Sequence, residues 1–269
     1  MGSEQTISSS PKSYMPIVLI TGCSNGGIGA ALCRSFLARG YVVYASARSV
    51  EAMSDLVHEN VRKLVMDVAD DAQVLEETGG IDILVSNAGC VHIGALLDTP
   101  FEEGIKVMQT NFFGFVRLVK HVVPHMARRK KGKVVVIGSI YGELATPFEG
   151  FYNASKAALH SYAETLRMEC QPVGVKVVLV APGAVKSNIA IKSAYTVPED
   201  SLYKSFEKQI NHVRYISQSK DSGVMDTDEY LSLGGFTTVW WFLKWLRRTT
   251  AESLIWSMCE KEPKSSSTL

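Results

Sequence analysis

At 269 residues, with 46% hydrophobic and 20% charged positions, the chain can build one large α/β domain or two small ones. No Pro/Gly/Ser-rich linker interrupts residues 16–220, which favours one, and a net charge of +1 gives no general attraction to nucleic acid. The five cysteines, Cys23, Cys33, Cys90, Cys170 and Cys259, are odd in number, scattered and mostly set in apolar runs, which argues for reduced core thiols in a cytoplasmic protein.

Residues 1–15 are polar and Ser-rich, with neither a secretory apolar region nor an Arg-rich amphipathic pattern, and read as a disordered tail. The start Met1-Gly2-Ser3-Glu4-Gln5-Thr6 also fits an N-acylation pattern, an alternative that stays open beside a cloning remnant. Ile17–Thr21 is an apolar strand running into a Gly-rich turn, and Ile28–Leu37 continues with helical periodicity. A second strand is expected at Tyr41–Ala47, a helix at Val50–Glu59, a third strand at Val61–Val68, and a short crossover helix over residues 70–78. Ile81–Asn87 reads as a fourth strand and Phe101–Arg128 as one long helix, bent near its end by Pro124. Within it His121 and His125 have an i, i+4 relation but no evident third ligand, so they read as ordinary helix residues and no metal is expected. The basic run Arg128–Lys133 reads as a solvated helix end favoured by the helix dipole, with a nuclear signal or a phosphate patch as alternatives. Lys133–Gly138 is a β-branched fifth strand, Gly150–Glu169 a helix, and Val175–Ala181 a sixth strand closed by Pro182-Gly183. Strands alternating with helices imply a doubly wound, mostly parallel Rossmann-like sheet of six or seven strands, with ligands outside the carboxyl ends of the strands.

The chemistry-bearing residues fall at those ends. Tyr152 and Lys156 are four apart, hence on one helix face, and Ser139 lies thirteen residues upstream at the end of a strand. A phenol with an ordinary pKa of about 10 needs a neighbouring cation to exchange a proton near neutrality, and Lys156 is placed to provide one. Glycines at Gly22, Gly27 and Gly29 let a backbone approach a pyrophosphate at a helix N-terminus. The second strand ends Ala45-Ser46-Ala47-Arg48-Ser49, with no carboxylate for a ribose 2′-hydroxyl and with Arg48 suited to a 2′-phosphate. NADP(H) is therefore expected as the cofactor.

Together these residues resemble the short-chain dehydrogenase/reductase family over most of residues 16–190. Thr21-Gly22-Cys23-Ser24-Asn25-Gly26-Gly27-Ile28-Gly29 is similar to the family's T-G-x-x-x-G-x-G loop with one residue added. Asn87-Ala88-Gly89 is similar to the end of its N-N-A-G motif, Ser86 standing for the first Asn. Asn111, Ser139, Tyr152 and Lys156 follow in the family's order, and Pro182-Gly183 closes the sixth strand. The resemblance implies Asn111, Ser139, Tyr152 and Lys156 as catalytic residues. It implies cofactor contacts from Gly22, Ser24, Asn25, Gly27, Ile28, Gly29, Arg48, Asp67, Val68, Asn87, Ala88, Gly89, Tyr152, Lys156, Pro182, Gly183, Val185 and Ser187. In the implied reaction Tyr152 gives a proton to a carbonyl oxygen as hydride arrives, Lys156 lowers the Tyr152 pKa and holds the ribose, Ser139 fixes the carbonyl, and Asn111 supports a water at a local helix irregularity.

The substrate segment, Ala184 to about Ser219, carries Lys186, Lys192, Lys204 and Lys208, which suit either an anionic head group or a solvated face. Residues 221–269 read as an extension whose stretch Val239–Arg248, with clustered tryptophans followed by arginines, suits a membrane interface or packing on the domain or a second subunit. These features most resemble fungal NADPH-dependent 1-acyldihydroxyacetone-phosphate reductases and related hydroxysteroid- and retinol-type enzymes. Ketoreductases of secondary metabolism are the second reading and a non-catalytic NADP-binding regulator the third. A homodimer or homotetramer, a ketone or alcohol substrate, and contact with the cytosolic face of an internal membrane complete the expectations. Two departures stand out: the short crossover at 70–78, and little room after Asp226 for the usual last helix and seventh strand.

Overall fold

Among the described residues six short runs, most of them rich in Val, Ile and Leu, form parallel strands; the inner ones find apolar cover on both faces, and the edge strand Val61–Val65 is only partly covered. The strands are β1 (Ile17–Thr21), β2 (Val42–Ala47), β3 (Val61–Val65), β4 (Ile83–Ser86), β5 (Gly132–Ile137) and β6 (Val175–Val180), in the order β3-β2-β1-β4-β5-β6. In this computed structural model the described residues are 14–70, 80–183, 185, 189, 195–208 and 210–211. The period-2 alternation of a strand sorts its side chains between two cores. Val18 and Ile20 of β1 with Val135 and Ile137 of β5 pack on one face, under helix α1 (Ile28–Leu37). Leu19, Val134 and Val136 pack on the other, against Phe115, Leu118, Val122 and Leu159. Each such side chain, fully buried, contributes about 1.5–3 kcal/mol.

The helix expected at Val50–Glu59 is only a single 3-10 turn, Glu51–Met53. Its polar groups are claimed by the phosphate loop instead. Asn25 N donates to Ala52 O at 2.8 Å, Asn25 Nδ2 donates to Ser54 Oγ at 2.7 Å, and Asp55 N donates to Asn25 Oδ1 at 3.3 Å. The loop with its added residue is thereby fastened to the β2–β3 connection, while Met53 and Leu56 bury beneath it.

The long helix after β4 is three segments: α2 (Phe101–Met108), a π-helical turn (Gln109–Phe113) holding Asn111, and α3 (Gly114–Arg128) with Pro124 inside it. The expected irregularity at Asn111 is thus a π-turn, a feature that concentrates at functional sites. The basic run does end α3. Lys130 takes the left-handed conformation at φ 51°, and the Arg129 guanidinium reaches the Ile81 carbonyl and stands 3.6 Å from Asp82. Arg129 is thereby a brace between a helix end and the start of β4. Helix α4 (Gly150–Cys170) turns Asn153, Ser155, Lys156, Leu159, His160 and Ala163 inward, a buried stripe that begins polar and becomes apolar. The inferred crossover helix at 70–78 falls, but for residue 70, outside the described residues. So do the stretch after Asp226 judged short for a last helix and seventh strand, the 221–269 extension and most of the N-terminal tail.

Candidate active site

The sheet order reverses between β1 and β4, and their carboxyl ends part to leave a crevice there. Thr21 ties the two ends together: its buried Oγ1 accepts from Asn87 N and Ala88 N, both at 3.0 Å. Asn87 Nδ2 donates back to Thr21 O at 2.8 Å and Gly22 O at 3.1 Å. Gly22 has φ +71°, and a Cβ on it would stand 2.8 Å from Ala88 Cα, so the close approach of the two loops requires glycine. Gly27 caps α1 with extended backbone, no side-chain cap and no acidic residue in the first turn, leaving orphan N–H groups free for an anion.

A cleft of about 770 Å3 occupies this crevice. Ser24, Asn25, Gly27 and Ile28 line it from the first loop, joined by Gly22; Arg48 stands at the end of β2, with Asp67 and Val68 after β3. Asn87, Ala88 and Gly89 form its floor, and Pro182, Gly183 and Val185 close the β6 side. Gly29 lies behind this wall, where a Cβ would come within 2.5 Å of Gly22 O; it lets the helix approach the loop. Ser187, Lys186 and Lys192 lie outside the described residues.

Ser139, Tyr152 and Lys156 meet on the opposite wall. Ser139 is buried at the end of β5, and its Oγ accepts from Tyr141 N at 3.2 Å. Lys156 is buried one helical turn beyond Tyr152, its Nζ 5.7 Å from the Tyr152 ring centre and donating to Ile137 O at 3.0 Å. Burial pushes the Lys156 ammonium down to about 8. Burial also pushes the Tyr152 phenol up to about 12, opposed by its hydrogen bond with Ser139. The sequence suggests a lowered phenol; burial in low-dielectric surroundings, with Glu149, Tyr141 and Cys90 nearby, raises it instead. Asn111, 2% exposed, holds the floor rather than lining it: it accepts from Cys90 N at 2.8 Å and donates to Cys90 O and Ser155 Oγ, both at 2.9 Å.

Other residues line the cleft with no local motif to announce them. Cys90, His92 and, from α2, Glu103 and Lys106 all face it. His92 stacks edge-on with Tyr195, and its buried Nε2 has no hydrogen-bond partner among the described residues. Asp98 accepts from Tyr195 Oη at 3.0 Å and Ser201 Oγ at 2.5 Å, lacing the segment after β6 to the loop after β4. Lys204 is bridged to Glu199 at 2.8 Å and Glu207 at 3.0 Å, so its charge is already matched. Such partners come from distant parts of the chain and are visible only once the sheet brings them together.

Comparison with known proteins agrees with this geometry. The family described as short chain dehydrogenase matches residues 16–197. An NADPH-dependent 1-acyldihydroxyacetone phosphate reductase of Schizosaccharomyces pombe is 38% identical over 206 residues, covering 72% of this chain and 69% of that protein. The short-chain dehydrogenase ptmH of Penicillium ochrochloron is 40% identical over 202 residues, covering 72% and 74%. The crystal structure of a short-chain dehydrogenase from Streptomyces avermitilis superposes with a TM-score of 0.70 at 32% identity, covering 81% of each chain. A glycine-lined crevice at the sheet's switch point and a family match spanning its six strands give one conclusion: the chain belongs to the short-chain dehydrogenase/reductase family of oxidoreductases.

Proposed function

We propose that the protein is an NADPH-dependent reductase that delivers hydride to a lipid-like ketone such as 1-acyldihydroxyacetone phosphate. The observation that carries the reaction type is the convergence of the Ser139 hydroxyl on the Tyr152 phenol with the Lys156 ammonium behind it. The cleft also fits a dinucleotide. The α1 N-terminus is uncapped, a Cβ at Gly22 would collide with Ala88, and Arg48 offers a planar fork at an exposed position in a run, Ala45–Ser49, that carries no carboxylate. Bound NADPH supplies the hydride. Ser24, Asn25 and Gly27 would face its pyrophosphate, Arg48 its 2′-phosphate, and Lys156 its nicotinamide ribose.

Tyr152 keeps its proton until a carbonyl oxygen is in place, then donates it as negative charge develops there. Ser139 orients that oxygen through its hydroxyl, whose acceptor lone pair is already engaged by Tyr141 N. Lys156, cationic at pH 7 with a pKa near 8, offsets the phenolate that remains. Asn111 has its amide committed to Cys90 and Ser155, so any proton path at this position runs through its main chain. The lipid assignment is supported by the name of the yeast relative and by the apolar wall of Val91, Ile105, Val107 and Ile189. A homodimer or homotetramer through the outer faces of α2 to α3 and α4 is part of the same reading. Contact of the Val239–Arg248 stretch with a cytosolic membrane face is as well. Among the described residues no helix is long and apolar enough to cross a membrane.

The test is turnover by the full chain with NADPH or NADH and a panel of ketones including a 1-acyldihydroxyacetone phosphate. The expected result is oxidation of NADPH with the lipid ketone, and a fall of about tenfold in kcat/KM for NADPH in Arg48→Ala, with NADH little changed. Equal use of both cofactors by the wild type would reject the assignment of Arg48. Turnover confined to polycyclic ketones would move the substrate to secondary metabolism.

A further inference from the structure

Behind Ser139 lies a buried imidazole that the reaction described above does not use. His160 is one turn beyond Lys156 on α4 and 5% exposed. Its Nε2 stands 3.3 Å from Ser139 N, and its Nδ1 stands 2.9 Å from Glu143 Oε1. A backbone N–H can only donate, so Nε2 must be the bare, accepting nitrogen. In the neutral ring the proton then sits on Nδ1 and is donated to the Glu143 carboxylate. Each nitrogen has a partner that fixes its state, and the two assignments agree.

The chain is shaped around this ring. Gly138 and Gly142 bracket Ser139, and a Cβ on either would run into the imidazole, at Gly142 within 2.5 Å of Cε1. Main-chain bonds also hold the loop: Gly138 N donates to Val180 O at 2.7 Å, Ile140 N to Pro182 O at 3.0 Å, and Gly142 N to Ser139 O at 2.9 Å. The Ser139 amide is thus a point at which α4, the helix carrying Tyr152 and Lys156, grips the main chain of Ser139 itself, beside the Lys156 bond to Ile137 O.

We propose that His160 and Glu143 form a positioning pair: Glu143 holds His160 in the Nδ1–H tautomer, and the bare Nε2 holds the Ser139 main chain so that its hydroxyl meets Tyr152. The proposal rests on the catalytic reading of Ser139 given above. It differs from a nucleophile–base arrangement, because the imidazole faces the serine's amide and not its hydroxyl, and therefore takes no proton from Oγ. It also explains why an exposed carboxylate stands at the end of the short 140–142 turn. Its charge matters little for stability at that exposure, whereas its acceptor oxygen selects between two tautomers.

The experiment uses the full chain and three variants: Glu143→Leu, Glu143→Gln and His160→Phe. Imidazole 15N resonances of the wild type should show His160 with a protonated Nδ1 and a bare Nε2, and Glu143→Leu should mix the two tautomers. Because Glu143 is exposed, that variant should fold normally. Its kcat should fall about tenfold while the Kd for NADPH, read by fluorescence, stays within about twofold, since the phosphate loop and Arg48 are untouched. Glu143→Gln keeps an acceptor oxygen and should restore most of the loss; His160→Phe, which offers no acceptor, should lose at least as much kcat as Glu143→Leu. A wild-type His160 protonated on Nε2, a Glu143→Leu enzyme with normal kcat, or a Glu143→Gln enzyme as slow as Glu143→Leu would each overturn the proposal. Failure of the proposed reaction appears separately, as a wild type that turns over no ketone. The nitrogen spectrum is independent of turnover and would still decide the pair.

Discussion

Lys156 is a cation placed where water scarcely reaches, and its pKa of about 8 against an ordinary 10.5 gives the residue scale two measurable consequences. Below about pH 8 the folded protein carries a buried charge. Between about 8 and 10.5 the unfolded chain still binds a proton that the folded one has released, so this group's contribution to stability rises with pH across that window. The cofactor-free Lys156→Met protein should therefore be more stable than wild type at pH 7, by on the order of 1–3 kcal/mol after loss of the bond to Ile137 O. The advantage should vanish near pH 10, as thermal melts at the two pH values would show. Tyr152 has the opposite sign: a phenol that stays protonated to about 12 when folded makes the native state less favoured once pH exceeds 10. For activity, loss of the Lys156 charge predicts that reductive kcat/KM of the wild type falls above about pH 8; a flat profile to pH 10 would exclude this role. Tyr152→Phe should bind NADPH normally and lose nearly all turnover, since only the proton donor is removed. A variant retaining most of its activity would sink the assignment of Tyr152.

At the scale of elements, the site depends on how closely three loops approach one another. Gly29 is the sharpest case, since a methyl there meets the Gly22 carbonyl at 2.5 Å and Asn87 Nδ2 at 2.7 Å, and a carbonyl of the main chain cannot swing away as a flexible side chain would. Gly29→Ala should cost about 1–3 kcal/mol through overpacking and weaken NADPH binding, because α1 and its free amides must shift. Denaturant titration and fluorescence binding measure the two effects, and an unchanged pair of values would show that the helix does not need this proximity. The same scale explains where local sequence patterns mislead. Residues 50–59 have helical character, yet Asn25 takes up Ala52 O, Ser54 Oγ and Asp55 N, and tertiary hydrogen bonds override propensity. Residues 101–128 read as one apolar-periodic helix, and the π-turn at Asn111 appears because that side chain is drawn to Cys90 and Ser155.

At the scale of the whole molecule, apolar surface left outside both cores motivates the assembly proposed above. Phe101 and Phe113 are exposed on α2 and the π-turn, and Met168 on α4, with Phe112 of the π-turn stacking edge-on against Tyr162 of α4. Sedimentation or light scattering should report a dimer or tetramer, and Phe113→Glu should shift it toward monomer with the circular dichroism unchanged; a wild-type monomer at micromolar concentration would reject the interface. Strand periodicity and glycine placement are local properties, so the parallel α/β class and the six strands could be read from the residues to within a few positions. The Ser139, Tyr152 and Lys156 set and the phosphate loop could be proposed from spacing together with the family resemblance, and the basic end of the second strand from its own residues. Which way burial moves the Tyr152 and Lys156 protons, that Asn25 fastens the β2–β3 connection, and that His160 and Glu143 stand behind Ser139 emerge only with the fold. Desolvation and hydrogen-bond partnership are set by groups far apart in the chain that become neighbours only when the sheet closes over them.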